Sequence, residues 1–375
     1  MPRRRLIITG LVLVVISLLA AGCFHSDDEG NGNGQAAQTG TDGDTGEGQE
    51  GGSVFQQVQD RGEVVCGVNE AVPGFGVSTE GGEYEGFDID YCRVIAAAVL
   101  GDPNAVSFSP LTAEQRFTAL QSGEIDVLVR NTTFTSSRDG AEGARFLHTT
   151  YYDGQGMMVR TDSEYQALDD LNGATICVLS GTTTELNLET VFSAQGIEYS
   201  PLPFEENDPL QQAFIQGRCD AWTSDISQLA GVRSAWPENQ GGPEGLRILE
   251  EVMSKEPLGP AVRDGDDQWA DAVNWAVLVT IIAEELGVTS ENVDQMAEES
   301  EDPDVQRLLG APVEGEPFDP GLGLDTDFAA TVIREVGNYG EIFDRNIGTG
   351  SALGLDRGLN ALWTDGGLQY AAPYR

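Results

Sequence analysis

Lysine is almost missing from this chain: Lys255 is the only one among 375 residues, and the other 19 basic side chains are arginines. Twenty basic groups stand against 62 acidic ones, a formal charge of −42. So few cations exclude non-specific nucleic-acid binding, which needs Lys and Arg against phosphate. They also argue against adhesion to anionic lipid through protein surface charge. Histidine is scarcer still, with only His25 and His148, so a His-rich metal site is excluded and no metal or cofactor is expected. A Ser-His-Asp triad would have to use His148, which has no visible partner in the sequence. No GxxxxGK[ST] phosphate loop occurs, so ATP hydrolysis belongs to another chain. What is present is a 40% hydrophobic content, enough for a core despite the charge. Carboxylates are so abundant that a nearby pair of them carries no information.

The N-terminal end reads as an export signal over residues 1–22. Arg3, Arg4 and Arg5 form a positive start, and Leu6 to Ala20 is apolar apart from Thr9, Gly10 and Ser17. Small residues follow, Ala20-Ala21-Gly22, and then Cys23. The apolar run is shorter than the roughly 20 residues a spanning helix needs. Small residues immediately before a cysteine resemble a lipoprotein processing site, with Cys23 as the lipidated first residue and the only membrane attachment. Residues 23–52 then read as a flexible acidic tether. Nine of the 29 residues after Cys23 are Gly, seven are Asp or Glu, and the apolar ones are Phe24, Ala36 and Ala37. Such a segment cannot bury enough surface to offset its ordering entropy.

Cysteine usage fits an oxidising location. With Cys23 assigned to lipid, Cys66, Cys92, Cys177 and Cys219 remain. Four cysteines allow three connectivities. Cys66–Cys92 and Cys177–Cys219 need the least long-range closure, and buried free thiols are the other reading. No CxxC spacing occurs among them, which speaks against zinc or redox chemistry.

From residue 53 strands and helices alternate. Val64 to Val68 reads as a strand, Asp88 to Leu100 as a helix, Val106 to Phe108 as a strand, Ala113 to Ser122 as a helix and Ile125 to Val129 as a strand. That order implies a parallel sheet with helices on both faces. A second set follows, with strands at Thr175 to Leu179, Glu198 to Leu202 and Cys219 to Thr223. Its helices fall at Thr184 to Ala194, Pro209 to Gln216 and Asp225 to Ser234. Tyr151 to Arg160 joins the two units, and the chain returns near Ser254 to Arg263. Asp266 to Leu286 is so apolar that it must pack on something, most simply the first unit. The expected division is 53–152 for the first part of lobe 1, 153–256 for lobe 2, and 257–375 for the lobe 1 return and a C-terminal helical extension. Two open α/β sheets facing each other across two crossings make a hinged cleft, with ligands at the carboxyl ends of the strands.

Certain phrases carry a resemblance. Gly86-Phe87-Asp88-Ile89-Asp90 opens the first helix. Phe117-Thr118-Ala119-Leu120-Gln121-Ser122-Gly123-Glu124-Ile125-Asp126-Val127 leads into a strand. Ser180-Gly181-Thr182-Thr183-Thr184-Glu185 and Gly217-Arg218-Cys219-Asp220-Ala221 belong to the second unit, the latter preceding Ser224-Asp225. Their order, over residues 58 to 375, resembles the type II periplasmic solute-binding proteins of ABC amino-acid importers. Arg130-Asn131-Thr132-Thr133, Tyr151-Tyr152-Asp153-Gly154-Gln155-Gly156 and Gly337-Asn338-Tyr339-Gly340-Glu341 resemble its general L-amino-acid-binding branch. So does Arg357-Gly358-Leu359-Asn360-Ala361-Leu362-Trp363. The resemblance implies a two-lobed "Venus flytrap" that closes on a free L-amino acid outside the cytoplasm and docks, as a monomer, on permease and ATPase subunits.

Residue types agree with that chemistry. A guanidinium suits a carboxylate because it donates two parallel hydrogen bonds, and by resemblance Arg138 is that group. Asn131 and Thr133 follow the third strand at the cleft edge and match ligand contacts. Gly181, Thr182 and Thr183 link a strand to a helix, where free N–H groups attract an anion; an ordinary N-cap is the alternative. Asp225, directly after a strand, matches the ammonium contact, again with an N-cap as alternative. Phe75 is expected to wall the pocket. Arg116 is placed near the cleft edge, either facing acidic ligands or in a structural ion pair. Two other classes stay open on this fold: a periplasmic-type dehydratase of an aromatic-precursor acid, and an amino-acid-sensing subunit of a receptor. No credibly spaced nucleophile–base pair supports an enzyme. No second apolar segment or signalling domain supports a receptor. High Asp/Glu with almost no Lys resembles salt-adapted proteins.

Overall fold

A computed structural model describes residues 53–312 and 315–375. The export signal, Cys23 and the tether lie outside the described residues. Ser53 caps α1 (Val54–Arg61) by accepting the Gln56 N–H at 3.2 Å. After β1 (Val64–Val68), a small antiparallel meander of β2 (Ala71–Val72), β3 (Gly76–Ser78) and β4 (Tyr84–Glu85) leads to α2 (Phe87–Leu100). The turn into α2 requires glycine: Gly86 has φ +134°, and a Cβ there would stand 2.2 Å from the Phe75 carbonyl oxygen. Twelve of the 14 α2 residues are buried, Asp88 and Asp90 among them, so it is enclosed on every side and lies inside the lobe rather than on its surface.

The first sheet is completed by β5 (Val106–Pro110), β6 (Val127–Leu128), β7 (Ala144–Phe146) and β14 (Ala261–Arg263), in the order β5-β1-β6-β14-β7. β1 runs parallel to β5 and β6, and β14 runs antiparallel to β6 and β7. Between them lie α3 (Arg116–Ser122) and α4 (Ser136–Ala141). The expected α3 start at Ala113 moves to Arg116. Thr112 and Gln115 instead form a turn, in which each side chain accepts from the other's backbone N–H, at 3.1 and 3.3 Å. The expected strand from Ile125 shortens to two residues. Asp126 turns its carboxylate back onto the Val65 N–H at 2.7 Å and onto Arg61.

The second sheet combines β8 (Tyr151–Arg160), β9 (Ala174–Leu179), β10 (Tyr199–Phe204), β11 (Ala221–Asp225) and β12 (Leu246–Ile248), in the order β10-β9-β11-β8-β12. β9 is parallel to β10 and β11, and β8 is antiparallel to β11 and β12. Its helices are α5 (Thr183–Gln195), α6 (Asn207–Ile215) and α7 (Ile226–Ser234). In both sheets the order reverses beside the first parallel strand, so β1/β6 and β9/β11 open crevices at their carboxyl ends. β13 (Lys255–Leu258) pairs with Tyr151–Gly154 of β8, while Gln155–Val159 of β8 pairs with β11. β8 and β13 together form a two-stranded ribbon between the sheets.

α8 (Asp267–Glu285) begins at Asp266, whose side chain accepts from the Trp269 N–H at 3.0 Å. It packs on α2, as its apolar sequence requires, and Trp269 Nε1 donates to the Asp126 carbonyl at 2.9 Å. After it come α9 (Val293–Glu299), α10 (Pro303–Leu308), α11 (Phe328–Glu335) and α12 (Tyr339–Asn346). The extension ends at the base of the ribbon. Asn360 brackets Tyr152, accepting from its N–H at 2.7 Å and donating to its carbonyl at 3.1 Å.

The disulfides are Cys66–Cys92, joining β1 to α2, and Cys177–Cys219, joining β9 to the turn before β11. They close loops with separations of 26 and 42 residues, so chain entropy assigns each about 3–4 kcal/mol. Replacing Cys177 and Cys219 together with Ala is expected to lower the unfolding free energy by about that amount. Urea unfolding with an unchanged midpoint would refute it.

Candidate functional site

Both crevices face one chamber. From the first sheet come Asn69 after β1, Arg116 at the start of α3, Arg130, Asn131 and Thr133 after β6, and Arg138 in α4. From the second come Leu179 at the end of β9, Thr182 to Thr184 at the start of α5, Ser224 and Asp225 at the end of β11, and Gln228 in α7. Two direct hydrogen bonds span the two walls, and a pair of hydroxyls meets between them. Asn131 Nδ2 donates to Asp225 Oδ2 at 3.3 Å, Arg116 Nη2 donates to the Gly181 carbonyl at 3.2 Å, and the Thr133 and Thr183 hydroxyl oxygens stand 3.3 Å apart. The lobes are closed on each other, and the chamber is about 20 Å³, room for about one water. A solute therefore enters only when the lobes part.

One wall is cationic. Arg116, Arg130 and Arg138 are 2%, 5% and 8% exposed, yet among the described residues none has a carboxylate within ion-pair distance. Arg138 Nη1 donates to the Thr133 carbonyl at 2.9 Å, and Arg130 Nε to that of Leu111 at 2.7 Å. Arg116 Nε has no hydrogen-bond partner. The guanidiniums of Arg116 and Arg138 both lie against the Phe117 ring, 5.2 and 5.5 Å from its centre. Burial and the neighbouring arginines hold Arg116 well below the usual arginine range, and burial pushes Arg130 down to about 10. These cations are short of anions.

The opposite side is short of cations. Asp225 precedes α7, but its side chain caps no helix N–H, so the N-cap alternative is set aside. Its carboxyl accepts from Asn131 instead, and burial, Asp153 and Glu256 raise its pKa well above the usual value. Asp153, on β8, is raised to about 6 by burial while it accepts from Ser227 and the Gly154 N–H. On the arginine side, Asp88, in the first turn of α2, is raised to about 7 by burial against the pull of the Asn131 N–H and Arg130, and accepts that N–H at 2.6 Å. That bond holds Asn131 at φ +29°, the only positive φ at a residue other than glycine among the described residues; strain of this kind gathers at ligand sites.

At the head of α5, Thr182 does act as N-cap, accepting the Glu185 N–H at 3.1 Å. The N–H groups of Thr183 and Thr184 begin the helix and have no intrahelical acceptor, so they supply positive potential to the chamber.

Of the residues expected at the site, Asn131, Thr133, Arg138, Thr182, Thr183 and Asp225 share this chamber. Two do not. Phe75 is fully buried in the first lobe's core, edge-on to Phe87 and Tyr151 at 5.9 and 5.3 Å. Its loop folds inward because the Phe75 carbonyl and N–H bond Asp88 and Val72. Gly181 faces the chamber only through the carbonyl that Arg116 uses, since its N–H is taken by Glu185 at 3.0 Å. Arg116 forms no ion pair and lines the chamber. Asn69, Arg130, Asp88, Asp153 and Glu256 had not been singled out. Glu256, on β13, is 1% exposed and accepts four hydrogen bonds. His148 is half-buried against Gln369 Oε1 at 3.2 Å and does not line the chamber.

Residues 64–295 match the bacterial extracellular solute-binding proteins, family 3. The general L-amino acid-binding periplasmic protein AapJ of Rhizobium johnstonii is 50% identical over 86% of this chain and 93% of its own length. The glutamate/glutamine/aspartate/asparagine-binding protein BztA of Rhodobacter capsulatus is 47% identical over 86% and 94%. A solved ABC transporter/periplasmic binding protein from Brucella ovis with glutathione bound superposes with a TM-score of 0.82 at 49% identity, covering 86% of this chain and 99% of that one. With two α/β lobes, a two-stranded ribbon and this extent of likeness, the chain belongs to family 3 of the bacterial extracellular solute-binding proteins.

Proposed function

We propose that this protein binds L-amino acids outside the cytoplasm and delivers them to the permease of an ABC importer. One observation carries the reading: buried arginines and a buried carboxylate face each other across the chamber with no ion pair between them among the described residues. An amino acid is a small molecule with an anion at one end and a cation at the other. Arg138, Thr133 and the head of α5 suit its carboxylate, and Asp225 with Asn131 suits its ammonium. Closure joins contacts from both lobes, so the ligand favours the closed form by differential affinity. We assign lobe 1 to 53–152 and 257–375 and lobe 2 to 153–256, with β8 and β13 as the moving ribbon. The names of the Rhizobium johnstonii and Rhodobacter capsulatus relatives, both amino-acid-binding proteins, point the same way.

Side-chain preference follows from what remains. Arg116 and Arg130 are a second cationic pair that Arg138 does not need, and they favour ligands with a carboxylate or amide side chain. Beyond Asn69, Arg130 and Leu179 opens a second cavity of about 430 Å³, rimmed by Glu70, Glu205, Glu206 and Asp208. It gives long side chains a place to extend, and its acidic rim disfavours a second anion there. Calorimetry with the 20 L-amino acids tests the reading. Glutamate, glutamine, aspartate and asparagine are expected to bind, while the corresponding amines without an α-carboxylate give no heat. If the amines bind as tightly as the amino acids, the assignment fails.

We also assign residues 1–22 to an export signal and Cys23 to lipid, with the acidic tether giving a monomer reach to the membrane. Intact mass of membrane-extracted protein decides this. Loss of the signal leaves 17 basic against 62 acidic side chains, a net charge of −45. Self-repulsion of that size needs screening, so we read the composition as salt adaptation. The melting temperature is expected to fall on going from molar to millimolar salt. An unchanged value would refute salt adaptation.

A further inference from the structure

Glu256 is the least expected group in the closed site. It lies on β13, the return strand of the ribbon, and reaches into the seam between the lobes. Its Oε2 accepts the Thr133 hydroxyl at 2.6 Å from one lobe and the Thr183 hydroxyl at 2.7 Å from the other. Its Oε1 accepts from Asn187 Nδ2 at 2.8 Å and from the Ser254 hydroxyl. The same carboxylate is the strongest anionic influence on Arg138. Thr133 and Thr183 are two of the groups assigned above to a solute's carboxylate, so this inference rests on that reading of the site.

A hydroxyl has one proton. When Thr133 and Thr183 give theirs to Glu256, they cannot give them to a ligand. We infer that Glu256 is a built-in competitor: an internal carboxylate that holds the lobes together through the hydroxyls a ligand's α-carboxylate must claim. Ligand capture breaks the two bonds to Oε2, and opening breaks the one that crosses between the lobes. The two bonds to Oε1 come from Asn187 and Ser254, which do not line the chamber, so they survive capture and keep Glu256 oriented. Its contribution is therefore to closure without ligand, and hence to the occupancy threshold of the site. A closed form that excludes ligand lowers apparent affinity by the fraction of molecules it holds.

Glu256→Gln and Glu256→Ala test the idea with two readouts. Glu256→Gln weakens the charge-assisted bonds to both hydroxyls, and Glu256→Ala removes them. Small-angle scattering without amino acid is expected to show both variants more open than the wild type, Ala more than Gln. Calorimetry is expected to show glutamate binding about 3- to 10-fold tighter, in the same order, as the competing closed form is lost. Weaker binding would mean that Glu256 holds the ligand itself. Unchanged affinity and scattering with a lowered melting temperature would mean that it is structural only. Either result overturns the proposal. The scattering arm needs no ligand, so it remains decisive even if no amino acid binds and the transport reading fails.

Discussion

Asp225→Asn is expected to abolish most amino-acid binding while making the protein harder to unfold. Asp225 is nearly fully buried and has Asn131 as its one hydrogen-bonded side-chain partner. Asp153 and Glu256 add negative potential, and burial adds most of all. A carboxyl whose folded pKa is raised contributes stability below its unfolded value, about 3.9. That stability is lost as pH rises through the folded pKa. Above its raised folded pKa an ionised Asp225 is therefore a charge the fold tolerates at a cost, and asparagine removes it without changing the shape. An ammonium in the chamber supplies the missing counter-charge, and the Asn variant cannot use it. Truncating one partner of a buried charged contact costs about 2–5 kcal/mol, which is roughly 30- to 4,000-fold in affinity. The same logic gives a pH signature. Amino-acid affinity falls as pH drops toward protonation of Asp225, and binding there releases a proton. Calorimetry in buffers of different ionisation enthalpy detects that proton, and the Asn variant lacks it. Equal affinity in the two proteins, or a lower melting temperature in the variant, would sink this account.

The parts of the site that were legible in the sequence were those set by local chemistry. A Thr-rich turn between a strand and a helix reads as a helix start, so the capping role of Thr182 was legible from its neighbours, while Thr183 as a ligand contact rested on the resemblance. Asp225 stood directly before a helix, which left capping and ligand binding equally open. The fold sets capping aside by turning the side chain to Asn131 across the cleft. Phe75 failed for a related reason. A loop aromatic between two glycines after the first strand reads as a pocket wall, and nothing local shows that the loop folds back so that its carbonyl meets the Asp88 N–H at 3.0 Å. Glu256 was hidden by composition. In a chain with 62 acidic residues, a glutamate between lysine and proline looks like solvent-facing charge, and its role depends on partners 69 to 123 residues away. The parallel cores were visible from alternation of strands and helices. The antiparallel strands β7, β12 and β14 were not, because two or three residues carry no period.

Arg138→Ala is expected to weaken binding of every L-amino acid by about 100-fold, within the 2–5 kcal/mol range for a buried charged contact. The geometry behind this is local. Thr135 caps α4 by accepting the Arg138 N–H at 3.3 Å, which fixes the backbone. The Thr133 carbonyl takes one guanidinium nitrogen and the Phe117 ring supports the plane. The remaining N–H groups face the chamber with no carboxylate in ion-pair range among the described residues. Affinity alone would not separate a carboxylate contact from a packing role, so the ligand must be changed as well. Wild type should prefer glutamate over its α-amide by a wide margin. In Arg138→Ala that margin should shrink nearly to nothing, since the group that reads the α-carboxylate is gone. Arg138→Lys keeps the charge but loses the planar fork, and should fall between them. Arg116→Ala supplies the contrast. It should erode the preference for glutamate over alanine and leave the penalty for the α-amide in place, because Arg116 is held by Thr132 and the Gly181 carbonyl rather than beside Thr133. If Arg116→Ala instead collapses the α-amide penalty while Arg138→Ala spares it, the two arginines have exchanged roles and the ligand lies in the chamber the other way round.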